Sequence, residues 1–245
     1  KLAKILNIPI VTSAGHGDAI PFNENLYAGQ MGPRGNPIAS KLVKEADVIL
    51  ALGTRLGFNS TFFSYENINK QASIIQIDIE PTSLGRYFPI TIGICADAKK
   101  VAKELYSKIS LNKEIAKIEK WTKYFLDERK KYLINRDVVA DINAYPIQPT
   151  GLFKILRETL PINSAITLDA GTLCLQATDM LNYSKPPSLF TPLDFGLVGF
   201  SFACGLGVKL AKPDYPVISL MGDGGFGMTI SELSTAVQYD INTVT

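Results

Sequence analysis

The stretch VISLMGDGGFGMTISELSTAV occupies residues 217–237 and decides the fold class. Its first residues form an apolar run, which is typical of a strand covered on both faces of a sheet. A glycine-rich segment follows at 222–227, and Thr229 with Glu232 then forms the T-x-x-E pattern of a helix capping box. The pattern predicts a strand, a tight turn and a helix that begins near Thr229. The predicted buried stripe of that helix is Ile230, Leu233 and Val237.

The predicted turn has the features of a phosphate-binding site. It leads into a helix N-terminus, where free backbone N–H groups and the positive end of the helix dipole attract anions. Asp223 within the turn would repel a phosphate unless a divalent cation lay between them, and Mg²⁺ is commonly shared by carboxylate and phosphate oxygens. We therefore predict that Asp223 is a Mg²⁺ ligand. Gly222, Gly224 and Gly225 would let the backbone approach a diphosphate closely.

A dinucleotide-dependent dehydrogenase is an alternative interpretation, because residues 222–227 also match G-x-G-x-x-G. The acidic residue between the first two glycines counts against it, as does the late position of the turn in its domain. NAD(H) binding that survives removal of Mg²⁺ would favour this alternative.

The rest of the chain alternates short apolar runs with helix-length amphipathic segments, which predicts parallel βαβ units. The runs lie at 8–12, 47–53, 73–79, 165–169 and 216–222. Helices are predicted at 97–109, 113–134 and 199–211, the second with an apolar stripe that includes Ile115, Ile118, Trp121 and Phe125. We expect an α/β fold of two doubly wound, mainly parallel-sheet domains: residues 1–135, a linker at 136–149, and residues 150–245.

Composition excludes several classes of protein. The net charge is +2, from 25 basic and 23 acidic residues, and no long basic run is present, so we expect neither nucleic acid nor a membrane surface as a partner. Three widely spaced cysteines fit buried thiols in a reducing compartment, which predicts a cytoplasmic protein.

The segment GDGGFGMTISEL (222–233) resembles the start of the thiamine-diphosphate motif of the acetolactate-synthase and pyruvate-decarboxylase superfamily. The segments at 6–35, ADVILALGTRLG (46–57) and 72–100 resemble its central domain. INSAITLDAG (162–171) and 198–228 resemble the opening of its diphosphate-binding domain.

This resemblance implies a Mg²⁺- and thiamine-diphosphate-dependent enzyme in which the cofactor stabilises a carbanion during carbon–carbon cleavage or ligation. It implies that the metal is bound by Asp223. It implies that the cofactor contacts Asp169, Ala170, Gly171, Thr172, Val198, Gly222, Asp223, Gly224, Gly225 and Met228. Two departures weaken the match in detail: Thr172-Leu173 stands where acetolactate synthases usually have Gln-His, and Val198 stands where they have Met.

The resemblance also implies that the chain is an internal part of a longer polypeptide. The glutamate that activates the cofactor in this family belongs to an amino-terminal domain of a second subunit, and the Asn that completes the metal site lies beyond Thr245. We therefore expect the full-length protein to be a homodimer or homotetramer. We expect the fragment alone to be inactive.

Two reactions on a small carbonyl substrate fit the resemblance. The first is acetolactate-synthase-like transfer of a two-carbon unit from a 2-oxo acid. The alternative is acetyl transfer from sulfoacetaldehyde to phosphate, because DAIP (18–21), ALGTRLG (51–57) and DFG (194–196) resemble sulfoacetaldehyde acetyltransferase.

The central domain raises a separate question of ligand binding, because FAD or an adenine nucleotide occupies it in some members of the superfamily. Gly53, Arg55, Asp78 and Glu80 fall at predicted strand ends where a nucleotide could lie. The alternative is that these are loop residues without a ligand. A non-catalytic nucleotide-binding module is the third class left open.

Overall fold

The computed structural model describes residues 1–110, 119–184 and 186–245. Ile115 and Ile118 of the predicted stripe lie outside these residues. The chain divides into two compact units. The first is Lys1–Ser13 with Asn25–Tyr132, and the second is Ala14–Glu24 with Leu133–Thr245. Within the described residues, no helix has the length and apolar character needed to cross a membrane.

The first unit contains two parallel sheets. The two-stranded sheet pairs β1 (Ile10–Thr12) with β2 (Tyr27–Gln30), and the three-stranded sheet has the order β3 (Val48–Leu52), β4 (Ser73–Asp78), β5 (Ile92–Cys95). Its helices are α1 (Leu2–Leu6), α2 (Pro37–Glu45), α3 (Phe58–Thr61) and α4 (Ala98–Ser110), with α5 (Glu119–Val138) beginning here.

The core of this unit forms where apolar residues of β3, β4 and α2 meet. Phe125 of α5 is fully buried in it and Trp121 packs against it, as the predicted stripe requires. Asn36 begins α2, because its Oδ1 accepts hydrogen bonds from the backbone N–H groups of Ile38 and Ala39.

The second unit is built on one parallel sheet with the order β7 (Leu189–Phe190), β6 (Ala165–Leu168), β8 (Val217–Leu220). Its helices are α6 (Pro149–Thr159), α7 (Thr172–Met180), α8 (Phe200–Ala211), α9 (Asp223–Thr229) and α10 (Glu232–Gln238). Every residue of β6 is buried, which is expected for a central strand covered on both faces.

Residues 14–24 belong to the second unit through a buried carboxylate. The Asp18 Oδ2 accepts hydrogen bonds from the backbone N–H groups of Ser188 and Leu189, at 2.8 and 3.1 Å. Phe22 also donates its backbone N–H to the carbonyl of Tyr183. These bonds attach the segment to the start of β7.

The α/β class with parallel sheets is confirmed. All five predicted strands are present, and the helices predicted at 97–109 and 199–211 correspond to α4 and α8. The described part of the helix predicted at 113–134 is α5, which extends to Val138. The domain bounds 1–135 and 150–245 stay a prediction.

The helix predicted to begin near Thr229 is wrong. The glycine segment is itself helical as α9, and Thr229 is the last residue of that helix. Ser231, at the start of α10, has helical dihedral angles and makes no side-chain cap, so the chain passes from one short helix to the next without a capping box.

The predicted buried stripe on this segment is wrong as well. The exposed fractions are 49% for Ile230, 44% for Leu233 and 83% for Val237. The apolar contacts of the segment are made instead by Phe226 and Ala236, which pack against buried Phe202 and Leu206 of α8.

Candidate functional site

The candidate site lies at the carboxyl edge of the second unit's sheet, where β6 and β8 end side by side. Leu168 pairs with Leu220, and the backbone N–H of Asp169 donates to the Leu220 carbonyl at 3.2 Å. Asp169 and Gly222 therefore follow neighbouring parallel strands. This is the edge at which open α/β sheets bind ligands.

The glycines at 222–225 divide into two kinds. A Cβ on Gly222 or Gly224 would meet no atom within 4 Å, so the backbone there faces open space. Gly225 is buried, and a Cβ on it would lie 2.1 Å from the Asp169 Oδ2. Gly222 and Gly224 thus leave room for a ligand, whereas Gly225 is required by internal packing.

Asp223 is the first residue of α9 and its side chain is exposed. The first amides of a helix have no acceptor within it, so those of Asp223 and Gly224 are available to an anion at this open face. Within the described residues, no three His, Cys, Asp or Glu side chains cluster as a complete metal site. A carboxylate beside open backbone amides suits a hard cation that takes its remaining oxygens from a diphosphate and water.

α9 is held in place although it contains three glycines, each of which disfavours a helix by about 1 kcal/mol relative to Ala. Phe226 packs edge to face on Phe202, with the ring centroids 5.4 Å apart. The close contact of Gly225 with Asp169 adds a second fixed point. Tertiary packing therefore determines the conformation of the segment.

Asp169 is almost fully buried, with 1% of its surface exposed, and its carboxylate faces the start of α8. Oδ2 accepts the backbone N–H of Gly199 at 3.0 Å, and Oδ1 accepts those of Phe200 and Ser201 at 2.7 and 3.2 Å. These are the first amides of α8, so the carboxylate caps a helix from a distance of 30 residues in sequence.

The other predicted cofactor residues lie around the same edge. Gly171 has a φ of +142°, precedes α7 and faces open space, and Thr172 after it is exposed. Val198 is 41% exposed and Met228 is 65% exposed. A Cβ on Gly199, next to Val198, would lie 3.1 Å from the Met228 Cβ, so the start of α8 and the end of α9 touch.

Sequence reasoning missed Gly199 and Cys174. Gly199, with a φ of +87°, is the N-cap of α8, and its place as the first residue of the helix predicted at 199–211 was the available signal. The Cys174 thiol lies beneath the edge, 3.1 Å from the backbone N–H of Asp169. Burial raises the pKa of the Cys174 thiol to about 11, so it is neutral near pH 7.

In the first unit, Gly53 directly follows β3 and Asp78 ends the paired strand β4, and the Gly53 backbone N–H donates to the Ile77 carbonyl. The Asp78 Oδ1 accepts the backbone N–H of Glu80 at 2.9 Å. Glu80 in turn accepts both the backbone N–H and the hydroxyl of Thr82, and these hydrogen bonds lower the pKa of its carboxyl. Asp78 and Glu80 thus form hydrogen bonds within their own loop. Arg55 is exposed.

Comparison with known families decides the assignment of these two units. Residues 1–105 match the family described as "Thiamine pyrophosphate enzyme, central domain", and residues 169–245 match "Thiamine pyrophosphate enzyme, C-terminal TPP binding domain". The chain belongs to the thiamine pyrophosphate enzyme family. The resemblance read from the sequence is confirmed, and every predicted cofactor residue from Asp169 to Met228 falls within the TPP-binding match.

Individual relatives within this thiamine pyrophosphate enzyme family cover nearly the whole chain. A sulfoacetaldehyde acetyltransferase of Castellaniella defragrans is 33% identical over 98% of this chain, and one of Alcaligenes xylosoxydans xylosoxydans is 32% identical over 98%. An acetolactate synthase large subunit of Buchnera aphidicola subsp. Schlechtendalia chinensis is 34% identical, again over 98%. The chain spans 43%, 44% and 42% of the length of these three relatives.

Proposed function

We propose that the full-length protein that contains this chain is a thiamine-diphosphate- and Mg²⁺-dependent enzyme that transfers a two-carbon unit. The observation that carries the proposal is the match of residues 169–245 to the TPP-binding domain of the family. The dehydrogenase and the non-catalytic module are not favoured, because both profile matches belong to thiamine pyrophosphate enzymes.

Each part of the candidate site has a task in this function. Asp223 would bind the metal, and the backbone at Gly222 and Gly224 would hold the diphosphate, because no side chain fills that space. Gly171 and Thr172 lie at the start of α7, at the same edge, and the backbone at Gly171 faces open space there. When bound, the cofactor stabilises the carbanion formed at the substrate carbonyl.

Binding of the cofactor is tested by isothermal titration of the full-length protein with thiamine diphosphate, with and without Mg²⁺. We expect metal-dependent binding that Asp223→Ala weakens at least about a hundredfold, because losing even an outer partner of a ligand costs about 10- to 100-fold. Asp214→Ala is the matched control, since Asp214 is an exposed acid that precedes β8, at the opposite edge of the sheet. Binding without metal, or equal weakening by both variants, would contradict the proposal.

The acceptor of the two-carbon unit separates two candidate reactions. Relatives named sulfoacetaldehyde acetyltransferase and acetolactate synthase match the chain at nearly equal identity. Formation of acetolactate from pyruvate alone would assign the first reaction. Formation of acetyl phosphate and sulfite from sulfoacetaldehyde and phosphate would assign the second. We propose a homodimer or homotetramer for either, measurable by light scattering during gel filtration.

FAD or an adenine nucleotide at Gly53, Arg55, Asp78 and Glu80 remains a proposal for the central domain. Support comes from the positions of Gly53 and Asp78 at the carboxyl ends of adjacent parallel strands. Absorbance of the purified protein near 450 nm would reveal FAD, and titration with ADP would reveal an adenine nucleotide. If neither signal is observed, these residues have no nucleotide to bind, and Asp78 and Glu80 have only the turn-forming roles described above.

A further inference from the structure

Asp169 joins two structural elements that both border the candidate site. Its Oδ2 accepts the backbone N–H of Gly199 and also lies against Gly225, where a Cβ would approach to 2.1 Å. One carboxylate oxygen therefore touches the residue beside Val198 and the residue beside Gly224. The oxygen therefore lies between the start of α8 and the first turn of α9.

The burial and orientation of Asp169 argue against direct contact with a ligand. Only 1% of its surface is exposed, and its oxygens accept three backbone N–H groups from Gly199, Phe200 and Ser201. A carboxylate at the positive end of a helix is a strong cap, because the bonds are charge-assisted and the helix dipole adds to them. Both oxygens of the Asp169 carboxylate are thus hydrogen-bonded within the protein interior.

We propose that Asp169 is a positioning residue: it places Val198 and the open backbone at Asp223 and Gly224 for the cofactor without itself contacting it. This inference rests on the proposed function only for the identity of the cofactor. It differs in this respect from the prediction that Asp169 is one of the residues in contact with the cofactor.

We refer to the hydrogen bonds of the Asp169 carboxylate to Gly199, Phe200 and Ser201, together with its contact with Gly225, as the clamp. Asp169→Asn tests this clamp with almost no change in side-chain volume. The asparagine amide can take two orientations. In the first, its carbonyl oxygen keeps the hydrogen bonds to Phe200 and Ser201, but its NH₂ then faces the N–H of Gly199 and the Gly225 backbone. The flipped amide keeps the Gly199 bond and turns its NH₂ towards the other two donors. Either orientation replaces at least one hydrogen bond by a contact between two donors.

Two measurements on the full-length protein follow. Hydrogen exchange without cofactor is expected to become at least about tenfold faster at residues 199–201 in Asp169→Asn, the factor that corresponds to one lost hydrogen bond. The affinity for thiamine diphosphate with Mg²⁺ is expected to fall by at least about tenfold for the same reason.

Two controls separate positioning from general loss of stability. Asp18→Asn also neutralises a buried Asp of this unit, but Asp18 uses only Oδ2 for its two bonds, so an amide carbonyl can keep both. Gly151→Ala destabilises the start of α6, because its Cβ would lie 2.4 Å from the Asp141 carbonyl oxygen. We expect both controls to keep the wild-type affinity for thiamine diphosphate.

The outcomes are distinct. Faster exchange with unchanged affinity, or equal loss of affinity in Gly151→Ala, would overturn the positioning role, and unchanged exchange would overturn the clamp itself. If the wild-type protein binds no thiamine diphosphate, the proposed function fails and the exchange measurement alone decides the clamp. Should Asp169→Asn not fold, Gly225→Ala pushes Oδ2 away from Gly199, and exchange at 199–201 must again accelerate.

Discussion

Gly205→Ala should destabilise the second unit, although alanine favours a helix. Gly205 lies in the middle of α8, where Ala is better than Gly by about 1 kcal/mol. Its Cβ would lie 2.2 Å from the Ser219 Oγ, a hydroxyl that is 2% exposed and accepts a hydrogen bond from the Thr167 hydroxyl at 3.0 Å. The Ser219 side chain must therefore turn away or the helix must move.

The magnitude follows from these contacts. Leaving a buried hydroxyl without its partner costs about 1–3 kcal/mol, and overpacking a filled core costs about 1–3 kcal/mol more. After the gain in helix propensity, the net loss is about 1–5 kcal/mol of unfolding free energy. Ser219→Ala removes the clashing oxygen and leaves its Cβ 3.6 Å from the new methyl group, an ordinary contact.

A double-mutant cycle provides the assay. In the Ser219→Ala background, we expect Gly205→Ala to become neutral or stabilising by about 1 kcal/mol, so the sign of its effect reverses. Hydrogen exchange in increasing urea gives the opening free energy of peptides from α8, β6 and β8 separately from the rest of the protein. A loss in the double variant as large as in Gly205→Ala alone would refute the reasoning, because the cost would then not come from the Ser219 hydroxyl.

Two further predictions concern one buried side chain in each unit. Burial holds the pKa of the Cys174 thiol at about 11 in the folded protein, against about 9 unfolded, so the stability that it contributes is complete below pH 9 and is lost as pH rises towards 11. In urea titrations, the wild-type protein should lose up to about 1.4 kcal/mol per pH unit in this window relative to Cys174→Ala, and parallel pH profiles would contradict this. In the first unit, Gln76 is 2% exposed and donates to the carbonyls of Thr54 and Ser83 while accepting the backbone N–H of Gly85. Gln76→Met should lower the opening free energy there by about 3 kcal/mol, whereas Gln71→Met at an exposed position should change it little; equal effects of the two variants would show that the three hydrogen bonds of Gln76 do not stabilise the unit.

The sequence predicted strands that are apolar almost throughout, because this composition is typical of a strand covered on both faces. β6 and β8 are of this kind. It did not predict β2, β5 and β7. β7 has only two residues, and β5 is mostly exposed. Such strands are defined by their pairing with a neighbour, and pairing depends on residues far away in the chain.

The helical pattern after the glycine segment misled the prediction for a related reason. Thr229 and Glu232 have the right spacing for a capping box, but that pattern forms only if the residue at the cap leaves the helical region. Here Ile230 and Ser231 keep helical dihedral angles, and the chain enters α10 without an extended residue. The packing of Phe226 on Phe202 starts the helix earlier, and local spacing contains no information on that contact.

The glycine segment also shows why residue type alone does not assign a role. Gly224 and Gly225 are adjacent and identical in the sequence, and both were predicted to approach a diphosphate. A methyl group on Gly224 would enter open space, so any selection for glycine there comes from what lies outside the chain. A methyl group on Gly225 would displace the Asp169 carboxylate from the start of α8, so selection there comes from inside the fold. At this edge of the sheet, one glycine therefore faces open space, and its neighbour packs against the carboxylate that caps α8.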